Sequence, residues 1–143
     1  MKTTRGFSLL ELLIVVAIIL IIATIAIPSL LKSRQSANES AAVSDLRLMN
    51  TAEVTYSSSN GGQYGTVTQL ISAGLLDNRF VQLVSGYSFS VAPSVNALDY
   101  TAYATARSAN DGKFDYYSKP DYVIRYSTDP LRAPTGLTGE PVR

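Results

Sequence analysis

Two places in this 143-residue chain put ionisable side chains where they could do chemistry. The first is Glu11, a carboxylate set inside an aliphatic run. The second is the string Asn110-Asp111-Gly112-Lys113-Phe114-Asp115, whose oxygens could grip a calcium ion, with Asp99, Asp121 and Asp129 able to converge on it. The calcium-loop spacing D-x-[DN]-x-[DN]-G with its closing Glu is not met. Asn-Asp-Gly between two strands is the ordinary composition of a tight turn, so no metal is expected, and calcium on Asp111 and Asp115 is the lesser reading. The same two carboxylates could serve glycoside chemistry only across a cleft at a suitable separation, and nothing in the sequence points to a cleft. The chain has no His and no Cys, which removes a Ser-His-Asp triad, a thiol nucleophile, a histidine metal site and a disulfide framework. With 12 Lys+Arg against 11 Asp+Glu and no basic run, there is no electrostatic footprint for nucleic acid. Neither enzyme activity nor a cofactor is expected.

The elements that carry these residues differ in kind. From Phe7 to Ile27 only Ser8, Glu11 and Thr24 are not aliphatic or aromatic, and a helix of about 20 apolar residues spans a bilayer. The run is too long for the apolar region of a removable secretory signal and ends without a clean small-x-small site. Two uses remain: a plain membrane anchor, or a helix that leaves lipid to pack inside a polymer. Glu11 bears on the choice, because an ionisable group within a spanning helix costs about 2.5 to 3.5 kcal/mol and is usually paired and functional. Its bland alternative is that it snorkels to the headgroups or is simply protonated.

The string Lys2-Thr3-Thr4-Arg5-Gly6-Phe7-Ser8-Leu9-Leu10-Glu11, followed by Leu12-Leu13-Ile14-Val15-Val16-Ala17-Ile18, closely resembles the processing site of type IV prepilins and of type II secretion pseudopilins. The resemblance covers about Met1 to Arg47. It implies that a prepilin peptidase cuts after Gly6, removing the leader 1–6, and methylates the new amino terminus on Phe7. Glu11 then stands five residues into the mature protein. Pro28 matches the proline common in the family's long helix, and should kink or loosen the helix around Thr24 to Pro28. Cleavage would leave a free amine on Phe7 in a low-dielectric setting, where an opposite charge can compensate it. Glu11 could pair with the Phe7 amine of a neighbouring subunit, setting register, or with its own, four residues back on one helix face. The family also implies an inner-membrane assembly platform, an N-terminus facing the cytoplasm, a single-pass precursor in membrane lipid, and a homo-oligomeric helical filament outside the cell or in the periplasm. Two departures stand out: Leu20 occupies a position where many type IV pilins carry a helix-breaking Gly, and the absence of Cys forbids the C-terminal disulfide that many major pilins have. A type IV pilus subunit is the leading expectation and a major pseudopilin the alternative. A membrane-tethered binding domain that never polymerises is the reading from a different class.

Beyond Pro28, Ala42, Leu46, Met49, Ala52 and Tyr56 recur at helical steps, with Asn38, Asp45, Arg47 and Glu53 expected on the opposite, polar face. One helix is therefore expected from Phe7 to about Ser57, at about 1.5 Å per residue roughly 75 Å long. Its first half, 7–28, suits lipid or a filament core, and its second, 29–57, suits the face of a sheet. Ser57-Ser58-Ser59-Asn60-Gly61-Gly62 should end it. Thr66 and Gln69 form a T-x-x-Q capping box for a short helix through Ala73, stopped by Gly74. Beyond Phe80 the period becomes two: Tyr87, Phe89, Val91 and then Tyr100, Ala102, Ala104, Ala106 read as half-buried strands, with a further pair at Lys113 to Tyr117 and Tyr122 to Tyr126. The nine Tyr are expected mainly to fill this sheet. The expected fold class is α+β, a long N-terminal helix packed on an antiparallel sheet of about four strands, and the resemblance implies that this is a pilin fold. The head occupies 58–128, and an irregular tail 129–143.

Overall fold

A computed structural model describes residues 6–127 and 139–142. It divides into two compact units, Met1–Ser33 and Arg34–Arg143. A single helix, α1 (Leu9–Ser59), contributes to both.

In the first unit α1 starts at Leu9 rather than Phe7, because Ser8 takes the capping position. Its Oγ accepts the Leu10 N–H at 3.3 Å, and the Glu11 carboxylate reaches back to accept the Ser8 N–H at 2.9 Å. The S-x-x-E spacing thus caps the helix start from both sides, with the serine hydroxyl on the second helical N–H rather than the third. From there α1 is helical through Pro28, whose missing N–H leaves the Thr24 carbonyl without its usual partner. The large apolar side chains from Leu9 to Leu31 are exposed, and the helix is long and apolar enough to cross a membrane.

In the second unit α1 buries Ala42, Val43, Leu46, Met49, Asn50, Ala52 and Glu53. The expected apolar stripe is present, but Glu53 is not on the polar face: it is 0% exposed. The reason is in the spacing. Val43, Leu46, Asn50 and Glu53 follow one another at steps of three, four and three, so they form a second row beside Ala42, Leu46, Met49 and Ala52, and a helix on a sheet buries a stripe wider than one row. The helix ends at Ser59, two residues beyond the expected point. Ser58 and Ser59 donate their hydroxyls to the Thr55 carbonyl, while the Asn60 and Gly62 N–H groups close on Ser57 O.

Helix α2 (Val67–Ser72) carries the expected capping box at Thr66 and Gln69 and stops before Gly74, whose φ is +72°. A single 3-10 turn at Asn78–Val81 follows. The sheet then runs β1 (Tyr87–Pro93), β2 (Tyr100–Ala106), β3 (Tyr116–Ser118), β4 (Ile124–Tyr126) and β5 (Glu140–Pro141), in that order with every neighbouring pair antiparallel. Tyr87, Phe89, Val91, Tyr100, Ala102, Ala104 and Ala106 face the core, which they form with Leu46, Met49, Leu70 and Phe80 from the helices and the turn. The architecture is a long N-terminal helix packed on an antiparallel sheet, as the sequence led one to expect, but with five strands rather than four.

The differences have local causes. Strand β3 begins at Tyr116 instead of Lys113 because the preceding polar groups are committed elsewhere: the Lys113 N–H goes to Glu39 on α1, and the Asp115 carboxylate accepts the Ala106 N–H. Strand β4 begins at Ile124 because Tyr122, at φ +59°, closes a turn through its N–H to Lys119 O. The fifth strand comes from the tail expected to be irregular: Glu140 and Pro141 pair with Tyr126 and Arg125, and the Val142 N–H reaches Ile124 O at 2.8 Å. A two-residue pairing has no periodicity to read, and a Pro fits an outer strand, where one side needs no ladder bond. Asp129 and the neighbouring tail positions up to residue 138 lie outside the described residues, as does the leader up to Arg5.

Candidate functional sites: the N-terminal segment and the head loops

Gly6 and Phe7 precede the first helical residue, and both are exposed. A Cβ added at Gly6 would meet nothing within 4 Å, and the Phe7 side chain is 86% exposed. The peptide between them is therefore sterically open on the side of the smallest residue. Glu11, the only anion in the apolar run, is one turn into α1 and holds the Ser8 N–H. This partner is not the Phe7 amine expected from the sequence. The signal for the second partner was present, since Ser8 and Glu11 have the spacing of a capping box.

Asp111 and Asp115 are committed to different partners. Asp111 accepts from Arg107 Nε at 3.1 Å, from Arg107 Nη2 at 3.2 Å and from Ser108 Oγ at 2.6 Å. The Ser108 hydroxyl and then the Arg107 guanidinium hold its carboxyl below the usual range. Asp115 is buried and accepts the Ala106 N–H at 2.8 Å; burial pushes it up. Asp99 faces Lys119 at 3.7 Å, and Asp121 pairs with Arg125. Among the described residues no group of three or more His, Cys, Asp or Glu side chains is placed to hold a metal ion.

What the structure does with the Asn110 string is to fasten it. Gln35 donates to Ala109 O at 2.7 Å, Asn38 donates to Asp111 O at 2.9 Å, and Glu39 accepts the Lys113 N–H at 2.6 Å. Three side chains from one turn of α1 thus hold the β2–β3 connection. Gly112 lies against the Tyr87 hydroxyl so closely that a Cβ would overlap it, and that hydroxyl donates to Phe114 O at 2.8 Å. The fastening is polar and intramolecular, which suits a chain with no cysteine to cross-link.

A buried polar set, outside the sequence expectations, lies between α1 and the sheet. Asn50 donates to Ser118 Oγ at 2.8 Å and accepts the Tyr100 hydroxyl at 2.9 Å, bridging α1 to β2 and β3. Glu53 accepts the Gly65 N–H through Oε2 at 3.0 Å, whereas its Oε1 is buried without a partner. The three-four-three spacing from Val43 was the signal that could have found both. On the outer side of Asn50, an open groove is lined by Arg47, Asn50, Thr51, Val54, Thr55 and Tyr122.

Residues 1–27 match the prokaryotic N-terminal methylation motif. The chain is 39% identical over 75 residues to the type IV wide pilus major component PilA4 of Thermus thermophilus, a stretch that is 52% of this chain and 57% of that protein. It is 46% identical over 52 residues to the type IV major pilin protein PilA of Myxococcus xanthus, 36% of this chain and 24% of that one. The chain therefore matches about half of one curated relative and about a quarter of the other.

Proposed function

We propose that this chain, supported as a type IV pilin family protein by its methylation motif and its two relatives, is the structural subunit of a type IV pilus. The carrying observation is that one continuous helix joins the motif and an exposed apolar span to a face that is buried on a sheet. In the precursor the span lies in the inner membrane. A prepilin peptidase cuts the open Gly6–Phe7 bond and methylates Phe7. An inner-membrane assembly platform then moves the subunit from lipid into a filament of identical copies. There its apolar side chains exchange lipid for neighbouring helices, an exchange driven by packing rather than by removal from water.

Glu11 acquires a defined task in this scheme. Before assembly its carboxylate caps its own helix through Ser8. On assembly it gives up that bond for the Phe7 amine of a neighbouring subunit, so two charges that would be costly alone in an apolar core compensate each other. Pro28 lies between the assembling span and the head, where a missing backbone bond lets the helix adjust. Intact mass and N-terminal sequencing of protein from sheared cell-surface material and from membranes test this reading. A chain beginning at methylated Phe7 in the sheared fraction is the expected result. A processed chain confined to the envelope points instead to a pseudopilus of type II secretion, and an unprocessed chain starting at Met1 overturns filament assembly in favour of a tethered domain. Glu11→Ala is expected to insert in the membrane as well as the parent does, yet to yield no filaments by electron microscopy of the sheared fraction.

A further inference from the structure

The buried carboxyl of Glu53 sits beneath the segment that joins α1 to α2. Residues 60–65 cross from the end of α1 to the start of α2. Gly61 and Gly62 adopt φ of +65° and +85° with open space around them, and the near end is held by the Gly62 N–H on Ser57 O at 2.9 Å and the Gln63 N–H on Asn60 O at 3.2 Å. The far end of the crossing is held at three points. Gly65 donates its N–H to Glu53 Oε2 at 3.0 Å, the Tyr64 N–H goes to Ala97 O at 2.8 Å, and the Tyr64 ring packs on Tyr100 with centroids 4.7 Å apart.

Among the described residues no cation forms an ion pair with Glu53. Its own helix places Asn50 and Tyr56 one turn away on either side. From β2 comes Tyr100, whose hydroxyl is spent on Asn50, and from the crossing comes Tyr64; Glu53 acts electrostatically on both phenols. Beyond them, Asp99 in the β1–β2 turn and Asp121 and Tyr122 in the β3–β4 turn act on those tyrosines. Those outer carboxylates are themselves paired, Asp99 with Lys119 and Asp121 with Arg125. Burial alone pushes the Glu53 carboxyl from its ordinary 4.5 up to about 7, opposed only by the Gly65 N–H.

We infer that the 60–65 crossing is a proton-controlled clasp: it stays closed over Glu53 while that carboxyl is protonated, and loss of the proton shifts it toward an open form in which the carboxylate reaches water. An ionised carboxylate with one N–H and one orphan oxygen in an apolar interior is costly, and a local opening hinged at two glycines relieves the cost without unfolding the sheet. The sign follows from linkage. The closed form binds the proton more tightly, so between pH 4.5 and about 7 it holds more protons than the open form, and closure weakens as pH rises through that window. For one proton the open fraction rises by up to tenfold per pH unit there and levels off above. The clasp lies wholly in the head and does not depend on filament assembly.

Amide hydrogen exchange of the full chain in detergent micelles, from pH 4.5 to 8 and corrected for the intrinsic base-catalysed rate, tests the inference. The opening equilibrium reported by Gly65 is expected to climb by up to tenfold per pH unit and flatten above neutrality, while Ala104, buried in β2 between β1 and β3, does not follow. In Glu53→Gln the Gly65 profile is expected to be flat. A flat wild-type profile, or an equal rise in Glu53→Gln, overturns the clasp. Should the variant fail to fold, the wild-type Glu53 carboxyl followed by carbon-13 NMR decides: a midpoint near 7 supports the inference, and one near 4.5 overturns it.

Discussion

Two small polar side chains carry structural weight out of proportion to their size. Asn50 sits 4% exposed between α1 and the sheet and satisfies one hydroxyl on each of two strands. Asn50→Ala leaves the Ser118 and Tyr100 hydroxyls without that partner, and each orphaned buried group costs about 1–3 kcal/mol. Denaturant unfolding followed by tyrosine fluorescence is expected to show a loss of at least about 2 kcal/mol. Ser8 acts at the other end of the same helix. Ser8→Ala removes the acceptor for the Leu10 N–H, a change that costs about 0.5–2 kcal/mol at a helix start. The expected outcome is faster amide exchange confined to the first turn of α1, with exchange in the head unchanged. Glu11 could be picked out from sequence because a carboxylate in an aliphatic run is anomalous by itself. Ser8 beside it is unremarkable until its spacing to Glu11 is measured, and Asn50 and Glu53 look like solvent-facing residues until the width of the buried stripe is known.

At the scale of elements, short-range chemistry decided most of what could be anticipated. The Thr66–Gln69 box, Gly74 and the alternations at Tyr87 and Tyr100 are written in neighbouring residues, and they fold as written. The β2–β3 connection is different, since its conformation depends on Gln35, Asn38 and Glu39, more than 70 residues earlier. An Asn-Asp-Gly string looks equally suited to a turn and to an ion, and only the helix side chains that reach it show how its groups are used. Gly112 is the most constrained point in it. Gly112→Ala must displace the Tyr87 hydroxyl from Phe114 O, and overpacking of this kind costs about 1–3 kcal/mol. Thermal unfolding is expected to fall by several degrees, and Tyr87→Phe in the Gly112→Ala background should recover part of the loss by removing the overlapping oxygen.

At the scale of the molecule, two units with opposite solvent preferences share one helix. The unit ending at Ser33 exposes a run of large aliphatic side chains, whereas the unit from Arg34 carries its own apolar core. A contiguous apolar surface of that size marks a membrane or a protein contact. The unassembled chain is therefore expected to partition into the detergent-rich phase in a detergent phase-separation assay. In the proposed filament the same surface is covered by neighbouring subunits, so sheared filaments are expected to remain in the aqueous phase. Equal partitioning of both forms would mean that the span stays exposed after assembly.

The N-terminal processing resemblance, the span, the helical stripe, the caps and the two long strands are legible in the order of the residues. Each of these is set by residues within a few positions of one another, where side-chain type and backbone preference act directly. The burial of Glu53, the Asn50 bridge between two strands, the tie from the β2–β3 connection to α1 and the pairing of Glu140 and Pro141 with the sheet arise only on folding. The physical reason is the same in every case: a donor, an acceptor or an open strand edge must be satisfied, and the group that satisfies it is distant in sequence and close only after folding.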